Sequence, residues 1–345
     1  MRPPADIPAE SPPTSRIRPE REFPEDGAMP IDQKATLAPL RPLHESIVLP
    51  EEIAFGHMNV RFYGARALAA TDQLLAELQV GMSEFGATRS LVYELPRLFT
   101  RYHREQHTGA KLSVLGGLLE ARQDGLRVYH ELRNPDRDEL AASFVQDLRF
   151  RAPGESGSLH IPSAVRKDLE SQRVSLPIEG GPRTLELDAS PIAPLLQEAL
   201  DGDLAIRLPR RIDPADCDAE GRLPADVRPF YMWGGDPIPP RRSSDGPDLS
   251  PLPDGAKMGW TSLENRSVMV EEPMAGMRIQ SFGAAVELSR KTVLKRFWIF
   301  DLESGRLLLA NDVVELALHR GDHRAIEIPS PIRRKIESEL RPDLR

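Results

Sequence analysis

The sequence predicts an α+β protein built from two tandem copies of one domain, each a long helix followed by an antiparallel sheet. Three segments of the chain recur after an interval of 167 or 168 residues. The pairs are GAKLSV from Gly109 and GMRIQS from Gly276, AASFVQDLRF from Ala141 and LANDVVELAL from Leu309, and IPSAVRKDLES from Ile161 and IPSPIRRKIES from Ile328. The interval is far longer than a solenoid repeat of about 20 to 50 residues, so it indicates a duplicated domain.

The first copy begins with a strand near Leu43 and continues with its longest helix. From Asn59 the apolar residues follow helical spacing, and the positions on one face are Tyr63, Ala67, Ala70, Leu74 and Leu78. Asn59 can accept from the first-turn amides as an N-cap, and Gly81 is predicted to end the helix.

Strand-like segments separated by short turns follow this helix. They are RSLVYELPRL, FTRYHREQH, KLSVLGGLLEAR, LRVYHELR and ELAASFVQDLRF. A short helix starting at Pro162 or Ser163 is predicted to close the first copy.

The second copy repeats this plan with a shorter helix. The strand LAIRLPRRI leads through DCDAEGRL to the helix VRPFYMW, which Pro229 and Gly234 limit. A proline-rich loop over 236–254 follows, and the predicted strands after it are NRSVMVEEP, MRIQSFGAAVELSR, VLKRFWIFDL and RLLLANDVVELALH. The segment 324–340 is predicted to be the closing helix.

These patterns divide the chain into four parts. Residues 1–40 are rich in proline and poor in large apolar side chains, which predicts a disordered tail. The two domains are predicted over 41–173 and 204–345. The segment 174–203 is expected to be a linker between them.

Composition narrows the class of function. The 345 residues are 40% hydrophobic and carry a formal charge of −8, which disfavours a nucleic-acid-binding protein. No run of 18 or more apolar residues occurs, so we expect no membrane span and a cytoplasmic location. Cys217 is the single cysteine, and we expect neither a disulfide nor a multi-cysteine metal site.

The segment GHMNVRFYGARALAATDQLL, residues 56–75, resembles a family motif. It is similar to the D-x-x-G-H-M-N-x-x-Y…T-D-x-L-L stretch of 4-hydroxybenzoyl-CoA thioesterase-like proteins, which have the hotdog fold. The resemblance covers most of 43–155 and, more weakly, 205–340. The sequence departs from the motif at Ile53, where the family has aspartate, and in the second copy Asp218 keeps the aspartate while Arg222 replaces the histidine.

The resemblance implies that the two domains pair as an intrachain pseudo-dimer. Family active sites lie where two hotdog domains meet, beside the start of the long helix, so a tandem chain would hold two nonequivalent pseudo-sites. We expect one domain to contribute the His57 imidazole and the other the Asp218 carboxylate around a shared groove.

Two sets of site residues follow from this comparison. The predicted catalytic residues are His57, Asn59, Asp72 and Asp218. The predicted substrate-binding residues are Gly56, Met58, Val60, Tyr63 and Arg222. The backbone amides of residues 58–60 would stabilise the oxyanion at the helix N-terminus, and Asp72 matches the T-D pair of the motif on the face opposite Tyr63.

Each of these residues also has a purely structural interpretation. His57 could fix the corner between strand and helix, Asp72 could be a solvated helix residue, and Asp218 could cap a turn. Glu52 is an alternative carboxylate. His103 and His107 lack an evident third metal ligand, and a basic run at Arg333 could be either a solvated face or a contact for coenzyme A phosphates.

The leading hypothesis is therefore an acyl-CoA thioesterase that uses no metal or other cofactor. Its substrate would be an acyl-CoA or acyl-carrier-protein thioester, with neither nucleic acid nor membrane as a partner. Two such chains could also form a homodimer by stacking their exposed sheet surfaces. The alternatives are a noncatalytic acyl-thioester-binding or assembly protein and a hotdog hydratase or dehydratase.

Overall fold

The computed structural model describes residues 37–54, 56–80, 92–152, 154, 157–236, 252 and 254–345. The predicted tail over 1–36, the predicted helix end at Gly81 and most of the proline-rich loop over 236–254 lie outside these residues. Within them, no helix is both long and apolar enough to cross a membrane.

The described residues contain long antiparallel strands and few helices. The strands are β1 Arg41–Ile47, β2 Ile53–Ala54, β3 His57–Met58, β4 Val92–Tyr102, β5 Lys111–Arg122, β6 Gly125–Asn134, β7 Glu139–Arg151, β8 Arg210–Arg211, β9 Met258–Met269, β10 Arg278–Leu288, β11 Thr292–Asp301, β12 Leu307–His319 and β13 Arg324–Ala325. The α-helices are α1 Val60–Glu77, α2 Ser163–Glu170, α3 Leu196–Asp201, α4 Arg228–Trp233 and α5 Ser330–Glu339.

One 11-stranded sheet runs through both halves of the chain. Its order is β1-β5-β6-β7-β4-β9-β12-β11-β10-β8, with β13 on β12. The order from β4 outward, β7-β6-β5-β1, is repeated from β9 outward as β12-β11-β10-β8. The two halves meet where β4 pairs antiparallel with β9, in a register that places Phe99 opposite Arg266. The sequence interval of the repeat thus corresponds to a repeated strand order.

Two strand predictions were wrong in detail. The segments RSLVYELPRL and FTRYHREQH belong mainly to one strand, β4, whose register shifts between Glu94 and Arg97. Pro96 lies in that shift and has no N–H to donate to the ladder, so a bulge accommodates it. The segment LAIRLPRRI forms only the two-residue strand β8 and an isolated bridge between Ala205 and Phe282.

Helix α1 covers one face of the first half of the sheet and contacts β1, β5 and β6. Asn59 is its N-cap as predicted, because the Asn59 side-chain oxygen accepts from the Arg61 amide at 3.1 Å. The predicted apolar face is buried, with Tyr63, Ala67, Ala70 and Leu74 each at most 3% exposed. The helix N-terminus therefore has a fixed position relative to the sheet.

The predicted linker crosses the opposite face of the sheet. We call residues 174–195 the strap. Its backbone amides at 183, 184 and 185 donate to the buried Glu264 carboxylate of β9. The Arg266 guanidinium of β9 donates to the Glu186 and Ala189 carbonyls, and Trp298 donates to the Ile192 carbonyl. The strap therefore occupies the sheet surface that stacking between chains would need.

A buried histidine under α1 predicts how stability changes with pH. Burial lowers the pKa of His130 to about 3, and its Nε2 lies 3.0 Å from the Thr71 hydroxyl. His130 is neutral in the folded chain, whereas the unfolded chain binds a proton below a pH of about 6.5. The stability that neutral His130 contributes is therefore complete above a pH of about 6.5. It is lost as the pH falls toward about 3.

We expect the free energy of unfolding to fall by about 2 kcal/mol between pH 7.5 and pH 5 from His130 alone. Denaturant titrations at both pH values measure this difference. His130→Gln, which cannot titrate, should show a smaller difference than the unmodified chain. Equal differences in the two proteins would show that His130 is not buried in its neutral form.

Candidate functional site

A tight turn brings His57 to the start of α1. Gly56 lies in the turn between the short strands β2 and β3. Its φ of +92° is a backbone conformation that residues with a Cβ rarely adopt. The Glu52 carboxylate accepts from Arg66 of α1 at 2.7 Å and from the Leu49 amide at 2.9 Å. Burial acts to raise the pKa of Glu52, but the hydrogen bond from Arg66 contributes to a net lowering. Glu52 is therefore an anchor of the turn.

The Glu105 carboxylate lies between His57 and a histidine of the second half of the chain. One Glu105 carboxylate oxygen lies 3.9 Å from His57 Nε2, and the other lies 3.0 Å from Nδ1 of His323. Glu105 follows β4, whereas His323 lies between β12 and β13. The side chains of His57 and Glu105 are both 30% exposed, so a ligand can reach them. We call these three residues the seam site.

The gap between His57 and Glu105 has a chemical consequence. A separation of 3.9 Å is too long for a direct hydrogen bond but suits a bridging water or a substrate oxygen. His57 Nδ1 lies 3.2 Å from the Met58 carbonyl, which can hold the ring with Nε2 toward the carboxylate. The arrangement can therefore hold and deprotonate a small polar group.

The three amides predicted to bind the oxyanion are not equivalent. The Met58 amide donates to the Gln106 carbonyl at 2.7 Å, and the Asn59 amide donates to the Glu52 carbonyl at 2.9 Å. The Val60 amide has no partner within the described part of the chain. Only Val60 of the three thus keeps an amide for a ligand at the N-terminus of α1.

Tyr63 is part of the core next to this turn. It is 3% exposed, its hydroxyl donates to the Arg104 carbonyl at 3.2 Å and accepts from the Gln106 amide at 3.1 Å. Burial raises the pKa of Tyr63 to about 12. Tyr63 fixes the loop that carries Glu105, and its role in binding substrate stays a prediction.

Asp72 lies far from His57. It is exposed on α1, twelve residues after Val60, which corresponds to about 18 Å along the helix. Its carboxylate accepts from the Tyr93 hydroxyl at 2.9 Å. Burial raises the pKa of Tyr93, and the nearby Asp72 carboxylate raises it further.

Asp218 and Arg222 belong to a second location. The Asp218 carboxylate accepts from the Glu220 and Arg222 amides, both at 2.9 Å, and so caps its own turn. The Arg222 guanidinium lies 2.9 Å from Glu94 and 3.1 Å from Glu272. Asp218 thus has the turn-capping role that was the structural alternative.

A network of ion pairs fills this second location. Three arginines and three glutamates, drawn from both halves, lie 2.5–3.3 Å from their partners. They are Arg151, Arg222, Arg228, Glu94, Glu220 and Glu272. We call this set the Arg–Glu network. Its charges are balanced, and each arginine side chain is at most 18% exposed.

The two locations occupy equivalent places in the repeat. Arg222 takes the place of His57 after the turn glycine, and Glu272 follows Glu105 by the repeat interval (272 − 105 = 167). His57 faces Glu105 across 3.9 Å, whereas Arg222 contacts Glu272 at 3.1 Å. One copy therefore has an open imidazole–carboxylate pair and the other a closed guanidinium–carboxylate pair.

The expectation that His57 and Asp218 share one groove was wrong. Arg222, whose amide Asp218 caps, contacts Glu94 near the start of β4, whereas His57 contacts Glu105 beyond its end. The eight residue steps of β4 from Glu94 to Tyr102 alone span about 26 Å. Because antiparallel pairing of the halves places the two helix starts at opposite ends of β4, the two locations are separate.

Sequence reasoning missed Glu105 and His323. A usable signal was present for Glu105, since an acidic residue recurs at 105 and 272 with the interval of the repeat. His323 reaches Glu105 only through pairing of the halves. The other histidines considered have local partners, with His103 Nε2 3.3 Å from the Ser143 hydroxyl and His107 Nδ1 2.9 Å from the Gly56 carbonyl.

Comparison with known proteins supports the resemblance found in the sequence. Residues 48–169 match the model of the thioesterase-like superfamily. Among curated proteins, none matches the chain.

Solved structures resemble the chain over both halves. An acyl-ACP thioesterase from Bacteroides thetaiotaomicron is similar with a TM-score of 0.56 at 11% identity, over 79% of this chain and 96% of that one. The 12:0-ACP thioesterase from Umbellularia californica is similar with a TM-score of 0.57 at 12% identity, over 79% of this chain and 93% of that one. These likenesses show a shared fold. The family match over residues 48–169 confirms the resemblance to thioesterases and the predicted enzyme class, a thioester hydrolase.

Proposed function

We propose that the chain is a tandem pair of hotdog domains that hydrolyses an acyl thioester at the seam site. The repeated strand order and the antiparallel β4–β9 junction support the interpretation as an intrachain pseudo-dimer. The single observation that carries the function is the open His57–Glu105 pair, beside the start of α1 and in contact with the other half through His323.

In the proposed reaction, Glu105 acts as general base. Its carboxylate takes a proton from a water held between Glu105 and His57, and the oxygen of that water bonds to the thioester carbonyl carbon. The tetrahedral intermediate then loses the thiolate as the C–S bond breaks. Glu105 returns the proton to the sulfur, so one thioester and one water give one acid and one thiol.

The Val60 amide is the proposed donor to the oxyanion. It lies in the first turn of α1, where backbone amides and the helix dipole favour negative charge. His57 positions the water through Nε2, and Asn59 keeps the helix start in place as its N-cap. In this account Met58 and Tyr63 support the turn.

The Arg–Glu network makes the second pseudo-site inactive in our proposal. Arg222 holds Glu272 at 3.1 Å, so the carboxylate equivalent to Glu105 is already paired with a permanent cation. Burial raises the pKa of Glu272, but Arg222 and Arg228 each occupy one of its oxygens, so neither oxygen is open to an attacking water. Asp72 and Asp218 lie near the Arg–Glu network, away from the seam site, and are not required for turnover.

Release of free thiol from a panel of acyl-CoA and acyl-carrier-protein thioesters tests the function. We expect one thiol and one carboxylic acid per substrate, in the absence of added metal. A thiol-reactive chromogenic reagent measures release, with a blank for the single Cys217. Absence of thiol with every substrate would refute hydrolysis, and water addition to an enoyl thioester without thiol release would indicate a hydratase.

A further inference from the structure

The turn between β12 and β13 brings a histidine of the second half to the seam site. Strand β12 ends at His319, β13 begins at Arg324, and these two residues pair across the hairpin. His323 is the last residue of the turn, and its Nδ1 lies 3.0 Å from one oxygen of the Glu105 carboxylate. The other oxygen of Glu105 faces His57 across 3.9 Å. The two carboxylate oxygens therefore have different neighbours, one from each half of the chain.

The backbone of His323 is in a conformation that glycine adopts more readily. Its φ of +51° lies in the left-handed region, which most residues with a Cβ avoid. Among the described residues, the polar partner of the His323 ring is Glu105 alone. The His323 side chain is 53% exposed, and an exposed ion pair adds little to stability. Stability alone therefore does not explain a histidine at this position.

Other residues hold the turn that presents His323. The Asp322 amide donates to Nδ1 of His319 at 3.0 Å, and His319 is buried. Because that nitrogen accepts a hydrogen bond, the ring proton of His319 is on Nε2, which lies 2.8 Å from the Asp254 carboxylate. The turn is thus fixed from its inner side, and the His323 ring is left to contact Glu105.

The Arg–Glu network receives its groups from the opposite half in a similar way. There the segment just after β7 supplies the Gly154 amide, which donates to Glu220 at 3.0 Å. Arg151 at the end of β7 contacts the same carboxylate. His323 lies just after β12, the strand equivalent to β7 in the repeated order. The opposite half thus supplies a permanent cation at the network and an imidazole at the seam site.

The contact with His323 limits how the Glu105 carboxylate can turn. A partly exposed glutamate side chain has several rotamers, and its terminal torsion is broad. When one oxygen is held by the His323 ring, the other is directed into the space between Glu105 and His57. A catalytic group that is misplaced by about 1 Å can lower a rate by about 100-fold, so this orientation matters for a general base.

We propose that His323 is a positioning residue of the seam site, which holds one oxygen of Glu105 so that the other faces the attacking water beside His57. The proposal rests on the proposed function for the chemical step. It gives the second half of the chain a part in turnover as well as in the fold.

Two substitutions of His323 separate its side chain from the turn. Glycine takes the left-handed conformation without strain, so His323→Gly removes the imidazole and keeps the turn. We expect His323→Gly to lower kcat by about 10- to 100-fold with KM within about threefold of the unmodified value, because Glu105 is no longer oriented. Asparagine tolerates the same conformation and has an N–H donor, so His323→Asn should keep at least about a third of kcat.

Free imidazole provides a rescue of the glycine variant. Added to the assay, it should raise kcat of His323→Gly at least about threefold by taking the place of the missing ring. The same addition to Glu105→Gln measures the background reaction of imidazole with the thioester and should not restore turnover. Arg324→Gln is the matched control, because it removes a cation of the same hairpin that contacts Asp322. Its kcat should stay within about twofold of the unmodified value.

Three kinetic results would overturn the proposal. The first is a kcat of His323→Gly within about twofold of the unmodified value. The second is a loss of kcat that neither asparagine nor imidazole relieves, and the third is a rise in KM at unchanged kcat, which would indicate a substrate contact. Denaturant unfolding of each variant shows that the proteins compared are folded.

NMR spectroscopy of the histidine rings separates failure of this proposal from failure of hydrolysis. In protein with isotope-labelled histidine, the ring signal that disappears in His323→Asn belongs to His323. This signal should move in Glu105→Gln and stay in place in Glu51→Gln. A moved signal in a chain that hydrolyses no thioester would refute the proposed function, and with it the positioning role, while the contact itself stands. An unmoved signal in an active chain would overturn the positioning role alone.

Discussion

Replacing Glu105 with glutamine is expected to lower kcat for thioester hydrolysis by about 100- to 1,000-fold, with KM within about threefold of the unmodified value. Glutamine has nearly the shape of glutamate but cannot accept the proton of the attacking water. Because the proposed proton transfer occurs in the transition state, its loss should affect kcat far more than binding. Steady-state thiol release measures both constants.

Glu51→Gln is the matched control for this variant. Glu51 is an exposed carboxylate in the turn that leads to His57, and its side chain accepts no hydrogen bond within the described residues. Its activity should stay within about twofold of the unmodified chain. If Glu105→Gln retained more than half of the activity, Glu105 could not be the general base.

Removing the Glu264 carboxylate is expected to have the largest effect on stability. Glu264 is 2% exposed and accepts from the Arg183, Thr184 and Leu185 amides at 2.7–2.9 Å. In Glu264→Ala these three amides lose their acceptor, and a cavity forms beneath the strap. At about 1–3 kcal/mol for each unsatisfied group, with some relief from water, we expect a loss of about 3 kcal/mol.

Denaturant unfolding measures the loss, and limited trypsin digestion at Arg183 measures local opening of the strap. Glu264→Gln is the control, because its amide oxygen can still accept from part of the strap, and it should lose less stability than Glu264→Ala. Faster cleavage at Arg183 is expected in Glu264→Ala. A change below about 1 kcal/mol with unchanged digestion would show that the strap does not depend on this carboxylate.

Much of the fold could be predicted because the repeat fixes equivalent segments. The start of β10 follows that of β5 by the interval seen in the sequence (278 − 111 = 167). The cap at Asn59 and the limits of α4 at Pro229 and Gly234 were also predicted, since these residues act within one turn. Interactions between neighbours in the chain are the ones a sequence pattern records.

The functional geometry was harder to predict because it depends on distant segments. Glu105 meets His323 across 218 positions of the chain, and nothing local marks that contact (323 − 105 = 218). The Met58 and Asn59 amides seemed suitable for an oxyanion, but loop carbonyls that approach only in the folded chain already accept from them. The strap had the composition of a linker, and its hydrogen bonds to Glu264 depend on tertiary structure.

The closed second pseudo-site gives a physical reason why one chain would use one active site. In the proposed tandem arrangement two places are equivalent, and Arg222, which stands where the first copy has the turn histidine, makes one of them an ion-pair contact between the halves. Arg228 strengthens that contact through the Leu95 carbonyl and Glu272. We infer that one copy retained the chemistry while the other holds the halves together.

The number of ligands bound per chain tests this account most directly. Titration calorimetry with a non-hydrolysable acyl-CoA thioether should give one molecule per chain, and Glu105→Gln should leave that number unchanged. A stoichiometry of two would contradict the claim that the Arg–Glu network closes the second location. Failure of the chain to bind any such analogue would contradict the thioester site itself.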